Sequence, residues 1–278
     1  MSKGYIAIAQ NSRDDYLRMA YALALSIKAT QLEVKDFCLC TDETTAKLIT
    51  DDHKKVFDHI VMVPEVDTRW KIDNKWMYYD LSPFDETMVL DVDMLFVEPI
   101  DFWWDTLQEK DMWLPNHTLT FRGEVVNANN YRIKFVDKKL PNVYTNMMYF
   151  KKGDYAFHFF RMLKHIFQDW NRYYESFLVG PGQDSLSADL AYAFLIKVLG
   201  IEGEVTDPRP TPTFVHMKSK VQNVRGVEDN WEESLGCTLG DDLSLYVGNY
   251  RQTMPFHYVN KMWLTDEKLS ILEKTLND

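Results

Sequence analysis

Cysteine is scarce in this sequence, and its scarcity excludes a fold held together by disulfides. The 278 residues include only three cysteines, Cys38, Cys40 and Cys237. The first two alternate with Leu39 in a strand-like stretch, which predicts buried thiols. Three cysteines are too few for a disulfide framework or a cysteine-based zinc site, and they are typical of proteins from a reducing compartment. We therefore expect a cytoplasmic protein.

Long apolar runs and excess positive charge are missing as well. No apolar run is long enough to span a membrane, and the first residues lack the pattern of a signal peptide. The formal net charge is −11, from 31 Lys and Arg against 42 Asp and Glu, which argues against a surface that is basic throughout for nucleic acid or membrane. The length and the hydrophobic fraction of 46% instead predict one soluble globular domain over 1–278.

What the chain does have is a regular alternation of strand-like and helix-like stretches. A strand-like stretch at 4–9 precedes apolar residues at helical spacing over 16–29. The alternation predicts right-handed βαβ units and an α/β fold with a mostly parallel central sheet flanked by helices, as in nucleotide-binding domains. Further strands are predicted at 36–40, 57–63, 87–90, 143–150 and 214–217, and within 244–258, with helices at 42–49, 70–81, 155–174, from 184 or 185 to 199, and from 265 onward.

The stretch from Glu86 to Pro99 places two carboxylates at the end of a buried strand. The run 87–90 is apolar and partly β-branched, as in a strand covered on both faces, and it continues into Asp91-Val92-Asp93. In an extended chain Asp91 and Asp93 point the same way, at the edge where open α/β sheets bind ligands. Carboxylate oxygens suit Mg²⁺ or Mn²⁺, although Asp-x-Asp after a strand is also a common turn.

One segment of this acidic chain is basic. Six basic residues lie between Arg132 and Lys152, and only two acidic residues, Asp137 and Asp154, lie within or just after this segment. A solvated loop explains such a segment, and a docking surface for an anionic acceptor is the alternative interpretation. The six cations are Arg132, Lys134, Lys138, Lys139, Lys151 and Lys152.

Segments far apart in the sequence complete a pattern around the two aspartates. With Leu90-Asp-Val-Asp-Met-Leu-Phe-Val-Glu-Pro-Ile-Asp101, the pattern resembles the GT-A fold glycosyltransferases, most closely the glycogenin and lipopolysaccharide galactosyltransferase group, family 8. The resemblance is most continuous from residue 4 to residue 100. The other segments that carry it are Asn11 with Tyr16-Leu-Arg-Met-Ala20, Lys75 sixteen residues before Asp91, and His257-Tyr-Val-Asn-Lys261-Met-Trp263.

The resemblance implies a metal-dependent glycosyltransferase with a GT-A-like fold. Such an enzyme moves a sugar from a nucleotide sugar, in this family a UDP-sugar, to an acceptor hydroxyl with retention of anomeric configuration. The resemblance also implies that Asp91, Asp93 and His257 hold Mn²⁺ or Mg²⁺. Residues 1–100 would then be the nucleotide-sugar-binding half and residues 101–278 the acceptor-binding half.

The resemblance further implies roles for residues around the nucleotide. Tyr16 would stack on uracil, Asn11 would contact the nucleotide, Asp91 would contact the metal or the ribose, and Lys75 and Lys261 would lie near the phosphates. From physical chemistry alone, Tyr16 is equally a helix-start tyrosine packed on the sheet. Lys75 is, on the same basis, a surface lysine.

The chain departs from the family's pattern at several places. Met262 stands where the family has proline, and Asn260 stands near an expected glycine, so His216 is a rival of His257 as the third metal ligand. Tyr144-Thr145-Asn146 replaces an Asn-Ser/Thr-Gly motif near the sugar, and Gln183-Asp184-Ser185 replaces an Asp-Gln pair that opens a helix. We assign Asn146 and Asp184, together with Lys75, to the reacting sugar.

Two other classes of function are compatible with parts of the pattern. A non-catalytic, GT-A-shaped sugar-binding protein would explain the altered motifs at Asn146 and Asp184, although the intact Asp91-Val92-Asp93 argues against it. A metal-dependent nucleotidyltransferase would need a glycine-rich phosphate loop after the first strand, and the loop 10–15 has no glycine. This last class is therefore the least favoured.

The acceptor is expected to be a glycan or small molecule, and the basic segment adds a polyanion as an alternative, including hydroxymethylated DNA as in phage genome modification. If DNA is the acceptor, the affinity for DNA should fall as the salt concentration rises. Neutralising Lys138, Lys139, Lys151 and Lys152 should reduce this dependence on salt. Titration of labelled duplex at two salt concentrations measures this. An intact protein that binds no DNA would exclude the DNA alternative.

Overall fold

The structure is a computed structural model, and it describes residues 1–64, 71–206, 212–222, 224, 227 and 230–275, apart from the side chains of 71–73 and 130. Its centre is a six-stranded sheet with strand order β3-β2-β1-β4-β7-β6. These strands are β1 (Lys3–Ala9), β2 (Phe37–Thr41), β3 (His59–Met62), β4 (Glu86–Leu90), β6 (Met112–Trp113) and β7 (Met147–Lys151). Two small sheets contain β5 (Met94–Leu95), β8 (Val215–His216) and β12 (Phe256–His257), and β9 (Cys237–Leu239), β10 (Leu245–Val247) and β11 (Tyr250–Gln252).

Helices cover the sheet and fill the connections. The α-helices are α1 (Tyr16–Thr30), α2 (Glu43–Ala46), α3 (Asp51–Val56), α4 (Tyr78–Leu81), α5 (Phe102–Leu107), α6 (Ile133–Asp137), α7 (Asp154–Gln168), α8 (Trp170–Tyr173), α9 (Ala188–Leu199), α10 (Glu202–Val205), α11 (Trp231–Leu235) and α12 (Asp266–Lys274). Short 3₁₀ helices lie at Lys71–Met77, Ala128–Asn130, Ser219–Val221 and Lys261–Trp263, and a π-helical turn lies at Tyr174–Leu178.

The strand pairing of the central sheet confirms the predicted α/β fold with a mostly parallel sheet. β1 pairs in parallel with β2 and with β4, and β2 pairs in parallel with β3. The far edge is antiparallel, because β7 runs against both β4 and β6. The carboxyl ends of β1, β2 and β4 therefore meet at one edge of the sheet, the edge at which open α/β sheets bind ligands.

Both faces of the sheet are buried at β1, β2, β4 and β7, as the apolar character of these strands predicts, whereas the edge strand β3 is mostly exposed. On one face Tyr5 packs edge-on against Phe96 and Trp104, in a core shared with α1. On the other face Cys38 and Cys40 lie in a core shared with α7 and α9. These two thiols are fully buried, which confirms that prediction. In the part of the chain that the structure describes, no helix is both long enough and apolar enough to cross a membrane.

Several predicted boundaries were wrong. The helix expected to open at Asp184 or Ser185 begins at Ala188, because Ser187 is the residue whose side chain caps it. The segment 244–258 holds three short strands instead of one, because turns interrupt it. The helix expected over 70–81 is a 3₁₀ helix at Lys71–Met77 followed by α4, and residue 70 lies outside the described residues.

A glycine fixes how β1 packs on the following loop. Gly4 pairs with Thr87 of β4, and the ring of Phe84 covers its Cα so closely that any Cβ would overlap the ring. Phe84 is itself buried, so the ring has little room to withdraw. Close packing between β1 and the entry to β4 therefore requires glycine at this position.

We expect Gly4→Ala to lower the free energy of unfolding by about 1–3 kcal/mol, the usual cost of overpacking a core. Urea denaturation followed by tryptophan fluorescence measures it. Gly203→Ala is the matched control, because a Cβ at Gly203 meets nothing within 4 Å and alanine favours helix α10. Equal denaturation midpoints for the two variants would contradict the prediction.

Candidate active site

Asp91 lies one residue beyond β4, opposite Asn146. The backbone N–H of Asp91 donates to the carbonyl of Asn146 at 2.8 Å, which continues the β4–β7 ladder past its last pair. Two side chains then hold the carboxylate. Asn146 Nδ2 lies 2.6 Å from Oδ2, and Lys75 Nζ lies 2.5 Å from Oδ1. The structure therefore brings together Lys75, Asp91 and Asn146, which the sequence motifs had placed in one site.

Lys75 is held in place through its backbone by a helix from the second half of the chain. It lies in the 3₁₀ helix that precedes α4, and its carbonyl accepts a hydrogen bond of 3.1 Å from the hydroxyl of Tyr192 on α9. Tyr192 is fully buried. The neighbouring Asn74 donates to Gln10, just after β1, at 2.6 Å. These contacts tie the lysine to the ligand-binding edge of the sheet.

Asp93 lies in a turn after β4, and its carboxylate is almost completely buried. His257 Nε2 is 3.0 Å from Asp93 Oδ2, and Lys261 Nζ donates to the same oxygen. Burial raises the pKa of Asp93, but the imidazole and the ammonium group outweigh it and hold that pKa well below its usual range. Burial likewise lowers the pKa of Lys261, and the Asp93 carboxylate outweighs it and raises that pKa. Asp93 and Lys261 therefore form an ion pair at neutral pH.

The small sheet of β5, β12 and β8 explains how His257 reaches Asp93. β5 begins directly after Asp93, and β12 pairs with it so that His257 lies opposite Met94. The carbonyl of Asp93 also accepts a hydrogen bond from the backbone N–H of Tyr258 at 3.1 Å. Asp91 and Asp93 thus converge through a turn at 92–93, not through the extended chain that the sequence pattern predicted.

His216 lies beside His257 because β8 pairs in parallel with β12 and places the two histidines in register. Their rings stack with centroids 4.9 Å apart, and their Nδ1 atoms are 2.9 Å apart. Burial, together with the neighbouring His257 and Lys218, holds the pKa of His216 well below its usual range. His216, the rival candidate for third metal ligand, therefore contacts His257, and His257 contacts Asp93.

The three predicted metal ligands come together in space. One ligand atom each from Asp91, Asp93 and His257 lies within 4.8 Å of the other two. Two carboxylates and one imidazole form a donor set that suits Mn²⁺ and accepts Mg²⁺. The residues present therefore fit a divalent cation.

A strained turn positions Lys261 relative to His257. The backbone N–H of Asn260 donates to the carbonyl of Tyr258 at 2.6 Å, and Val259 between them has φ +61°. This is the γ-turn geometry with positive φ, which is rare for a β-branched residue and costs about 1–3 kcal/mol. The turn directs Lys261 back toward Asp93. Its Nζ also lies 5.9 Å from the centre of the Tyr16 ring, so Tyr16 lies at the edge of the site.

Asn11 lies in the loop between β1 and α1, and its side chain is engaged locally. Its amide oxygen accepts from the backbone N–H of Leu17 at 2.8 Å, and its amide nitrogen donates to Asp15 at 2.9 Å. Asn11 therefore shapes the loop between β1 and α1. Tyr16, by contrast, packs against the core with part of its ring exposed.

A cavity of about 330 Å³ opens beside Asn146 and His216. Its walls include aromatic, cationic and amide groups, and its volume is in the range of small-molecule sites. Gly182 and Gln183 line the cavity, whereas the next residue, Asp184, does not. Asp184 is exposed in the loop 179–187. The other lining residues are Tyr131, Arg132, Ile133, Lys134, Phe135, Tyr144, Ser187, Asp189 and Lys218.

Asp189, which the sequence motifs did not reveal, is the carboxylate that lines this cavity. Its Oδ1 accepts from the backbone N–H and the hydroxyl of Thr145 at 2.9 and 2.7 Å. Its Oδ2 accepts from Arg132 at 2.7 Å. Because Thr145 precedes Asn146, Asp189 fixes the strand end that holds Asp91. The sequence feature that could have identified Asp189 is Ser187, a residue type that caps helices, because a cap there places Asp189 in the first turn of α9.

Most side chains of the basic segment are engaged by other groups of the protein. Arg132 lies between the rings of Phe135 and Tyr144. Lys134 donates to the carbonyls of Leu178 and Gly180. Lys151 and Lys152 donate to the carbonyls of Gln108 and Ser82. Four of the six cations therefore direct their charge to internal groups, which does not support a DNA-docking surface.

We expect Asp189→Asn to lower the free energy of unfolding by about 1–3 kcal/mol, since it leaves the buried Arg132 without its carboxylate. Asp184→Asn, five residues earlier in an exposed loop, should change stability by no more than about 0.5 kcal/mol. Urea denaturation of both variants measures the difference. Equal losses, or a larger loss for Asp184→Asn, would show that Asp189 does not hold this wall.

Comparison with known proteins supports the fold. No family model matches the chain, and no curated protein matches it. Among solved structures, an active-site mutant of LgtC aligns over 98% of this chain and 95% of its own, with 13% identity and a TM-score of 0.50. Mouse xyloside xylosyltransferase 1 aligns over 74% of this chain and 84% of its own, with 9% identity and a TM-score of 0.45. The glycosyltransferase GlyE of Streptococcus pneumoniae aligns over 75% and 45%, with 7% identity and a TM-score of 0.46. The chain therefore has the GT-A fold of LgtC.

Proposed function

We propose that this protein is a metal-dependent glycosyltransferase that moves a sugar from a UDP-sugar to an acceptor hydroxyl with retention of anomeric configuration. The observation that carries the proposal is the cluster of Asp91, Asp93 and His257, whose ligand atoms lie within 4.8 Å of one another. The cluster lies between two lysines at the ligand-binding edge of a GT-A sheet. A site built this way matches the charge of a nucleoside diphosphate.

Asp91, Asp93 and His257 would hold Mn²⁺ or Mg²⁺, which when bound neutralises the charge that builds up on a leaving diphosphate. Asp93 enters this role already ionised, since its neighbours keep its pKa well below its usual range. Asn146 and Lys75 orient the two oxygens of Asp91. The ligands are therefore held by their own hydrogen bonds before any substrate arrives.

Lys261 and Lys75 supply the positive charge of the chain itself. Lys261 remains charged at neutral pH because Asp93 raises its pKa. A lysine ammonium is a point charge that suits phosphate oxygens. Both lysines lie against the predicted metal ligands, so a diphosphate bound there would contact them, and each would stabilise the departing phosphate.

Tyr16 would stack on the uracil ring. It lies within 5.9 Å of Lys261 and is partly exposed, so a nucleotide with its phosphates on Lys261 would have its base within reach of the ring. Asn11 would act by shaping the loop that carries Tyr16. Its contribution to nucleotide binding is therefore indirect in this proposal.

The donor sugar would occupy the cavity beside Asn146, with an acceptor glycan or small molecule entering from its open side. Asn146 joins the cavity to Asp91. In place of Asp184, the carboxylate nearest this sugar would be Asp189. We place the enzyme in the cytosol in this proposal, since its three cysteines are free.

The test is release of UDP from a panel of UDP-sugars in the presence of Mn²⁺. We expect one donor to be hydrolysed slowly and to turn over faster with its acceptor. EDTA should abolish turnover, and Asp93→Asn should lower it at least about a hundredfold, the usual cost of removing an electrostatic stabiliser. Asp105→Asn, at an exposed position on α5, is the matched control and should retain full activity.

Two outcomes would contradict the proposal in different ways. Calorimetric binding of UDP without turnover of any donor would leave a nucleotide-sugar-binding protein that transfers nothing. The absence of both turnover and UDP binding would exclude a nucleotide-sugar site altogether. With an active donor, proton NMR of the anomeric centre in the product tests retention.

A further inference from the structure

The paired rings of His216 and His257 limit where their protons can lie. The Nδ1 atoms are 2.9 Å apart, a hydrogen-bond distance at which one nitrogen donates and the other accepts. The other ring nitrogen of His257, Nε2, faces Asp93 at 3.0 Å. With both rings neutral, the choice of donor between the Nδ1 atoms decides which nitrogen of His257 carries a lone pair.

Only one of the two arrangements leaves His257 able to bind a metal. If His216 donates from Nδ1, the proton of His257 lies on Nε2 and points at Asp93. If His257 donates from Nδ1, its Nε2 carries the lone pair, and the proton of His216 lies on its own Nε2. Both arrangements hold the same two protons, so the pair can change between them without gaining or losing charge.

We propose that His216 is a positioning residue that accepts the Nδ1–H of His257 and so presents Nε2 of His257 to a divalent cation. The inference rests on the proposed function, since it requires a metal at Asp91, Asp93 and His257. A ligating histidine usually donates its second N–H to a carboxylate, a carbonyl or water, and this partner fixes its tautomer. In this chain a second histidine takes that place.

Packing holds the positioning residue itself. His216 is buried, and Tyr144 and Phe214 pack edge-on against its ring. Its backbone is fixed twice, because its N–H donates to Leu119 and its carbonyl accepts from Gln222. The parallel register of β8 and β12 keeps the two rings side by side. The ring therefore has little freedom to turn away from His257.

The arrangement also has a consequence for the cavity. His216 lines the cavity next to Asn146. When its Nδ1 accepts from His257, the remaining nitrogen of the neutral ring is an N–H donor. Metal binding at one end of the pair therefore sets the hydrogen-bonding character of a cavity wall at the other end, where a sugar oxygen would be the partner.

The first test uses the wild-type protein and needs no substitution. Long-range ¹H–¹⁵N spectra of ¹⁵N-histidine-labelled protein, recorded with Mg²⁺ and UDP, distinguish the two tautomers of each ring. We expect the proton of His257 on Nδ1 and that of His216 on Nε2, with the His216 signals identified by their loss in His216→Asn. A proton on Nδ1 of His216 in the metal-bound protein would overturn the inference.

The second test measures Mn²⁺ affinity from the electron paramagnetic resonance of free Mn²⁺ in the presence of UDP. His216→Phe keeps the ring but removes the acceptor, and we expect it to weaken Mn²⁺ binding by about 10–100-fold, the usual effect of losing the partner of a ligating histidine. His216→Asn places an amide oxygen where Nδ1 was and should restore the affinity to within about threefold of the wild type. This difference corresponds to less than about 1 kcal/mol of binding free energy. His117→Phe, the same substitution at a half-buried histidine that contacts Asn116, should leave the affinity unchanged.

The outcomes separate this inference from the proposed function. Wild-type protein that binds neither Mg²⁺ nor Mn²⁺ would refute the metal requirement and the inference with it. Wild-type protein that binds Mn²⁺ no more tightly than His216→Phe would refute the positioning role alone. If His216→Phe does not fold, the tautomers of the wild-type protein decide.

Discussion

The buried carboxylate of Asp93 is the constraint on which the site depends. An ionised carboxylate removed from water costs several kcal/mol unless charged or hydrogen-bonding partners compensate for the loss. Its side-chain partners His257 and Lys261 come from the far end of the chain. The return of the C-terminal segment to β4 supplies this compensation, and the small sheet of β5, β12 and β8 holds the segment there.

A similar arrangement surrounds Asp91, with partners from the middle of the chain. Lys75 and Asn146 each bond one of its oxygens, while Asp189 and Arg132 hold the strand end that carries Asn146. Each of the two aspartates thus draws its partners from distant parts of the chain. The chain as a whole carries a charge of −11, yet Lys75 and Lys261 converge on this edge, so net charge does not describe the site.

Some residues of the site could be identified from the sequence, and others could not. Asp91, Asp93, Lys75, His257 and Lys261 were recognisable because each lies in a short local pattern, and the structure brings them together. Asp184 was assigned to the sugar because the sequence pattern placed it at a helix start, whereas the hydrogen bond that caps the helix at Ser187 puts Asp189 in the first turn. The basic segment suggested a docking surface because the sequence shows only its charges, whereas in the structure four of its six cations donate to backbone carbonyls, Arg132 to that of Val143.

The sequence alone determined the α/β class, the buried strand β4 and the two carboxylates at its end, since these follow from local apolar patterns and residue spacing. Only the tertiary structure decided that His257 reaches Asp93, that His216 stands behind it, and that Asp189 supports Asn146. These relations depend on the pairing and register of strands separated by many residues. Register depends on which faces of both paired strands are buried, so the sequence of one strand does not decide it alone.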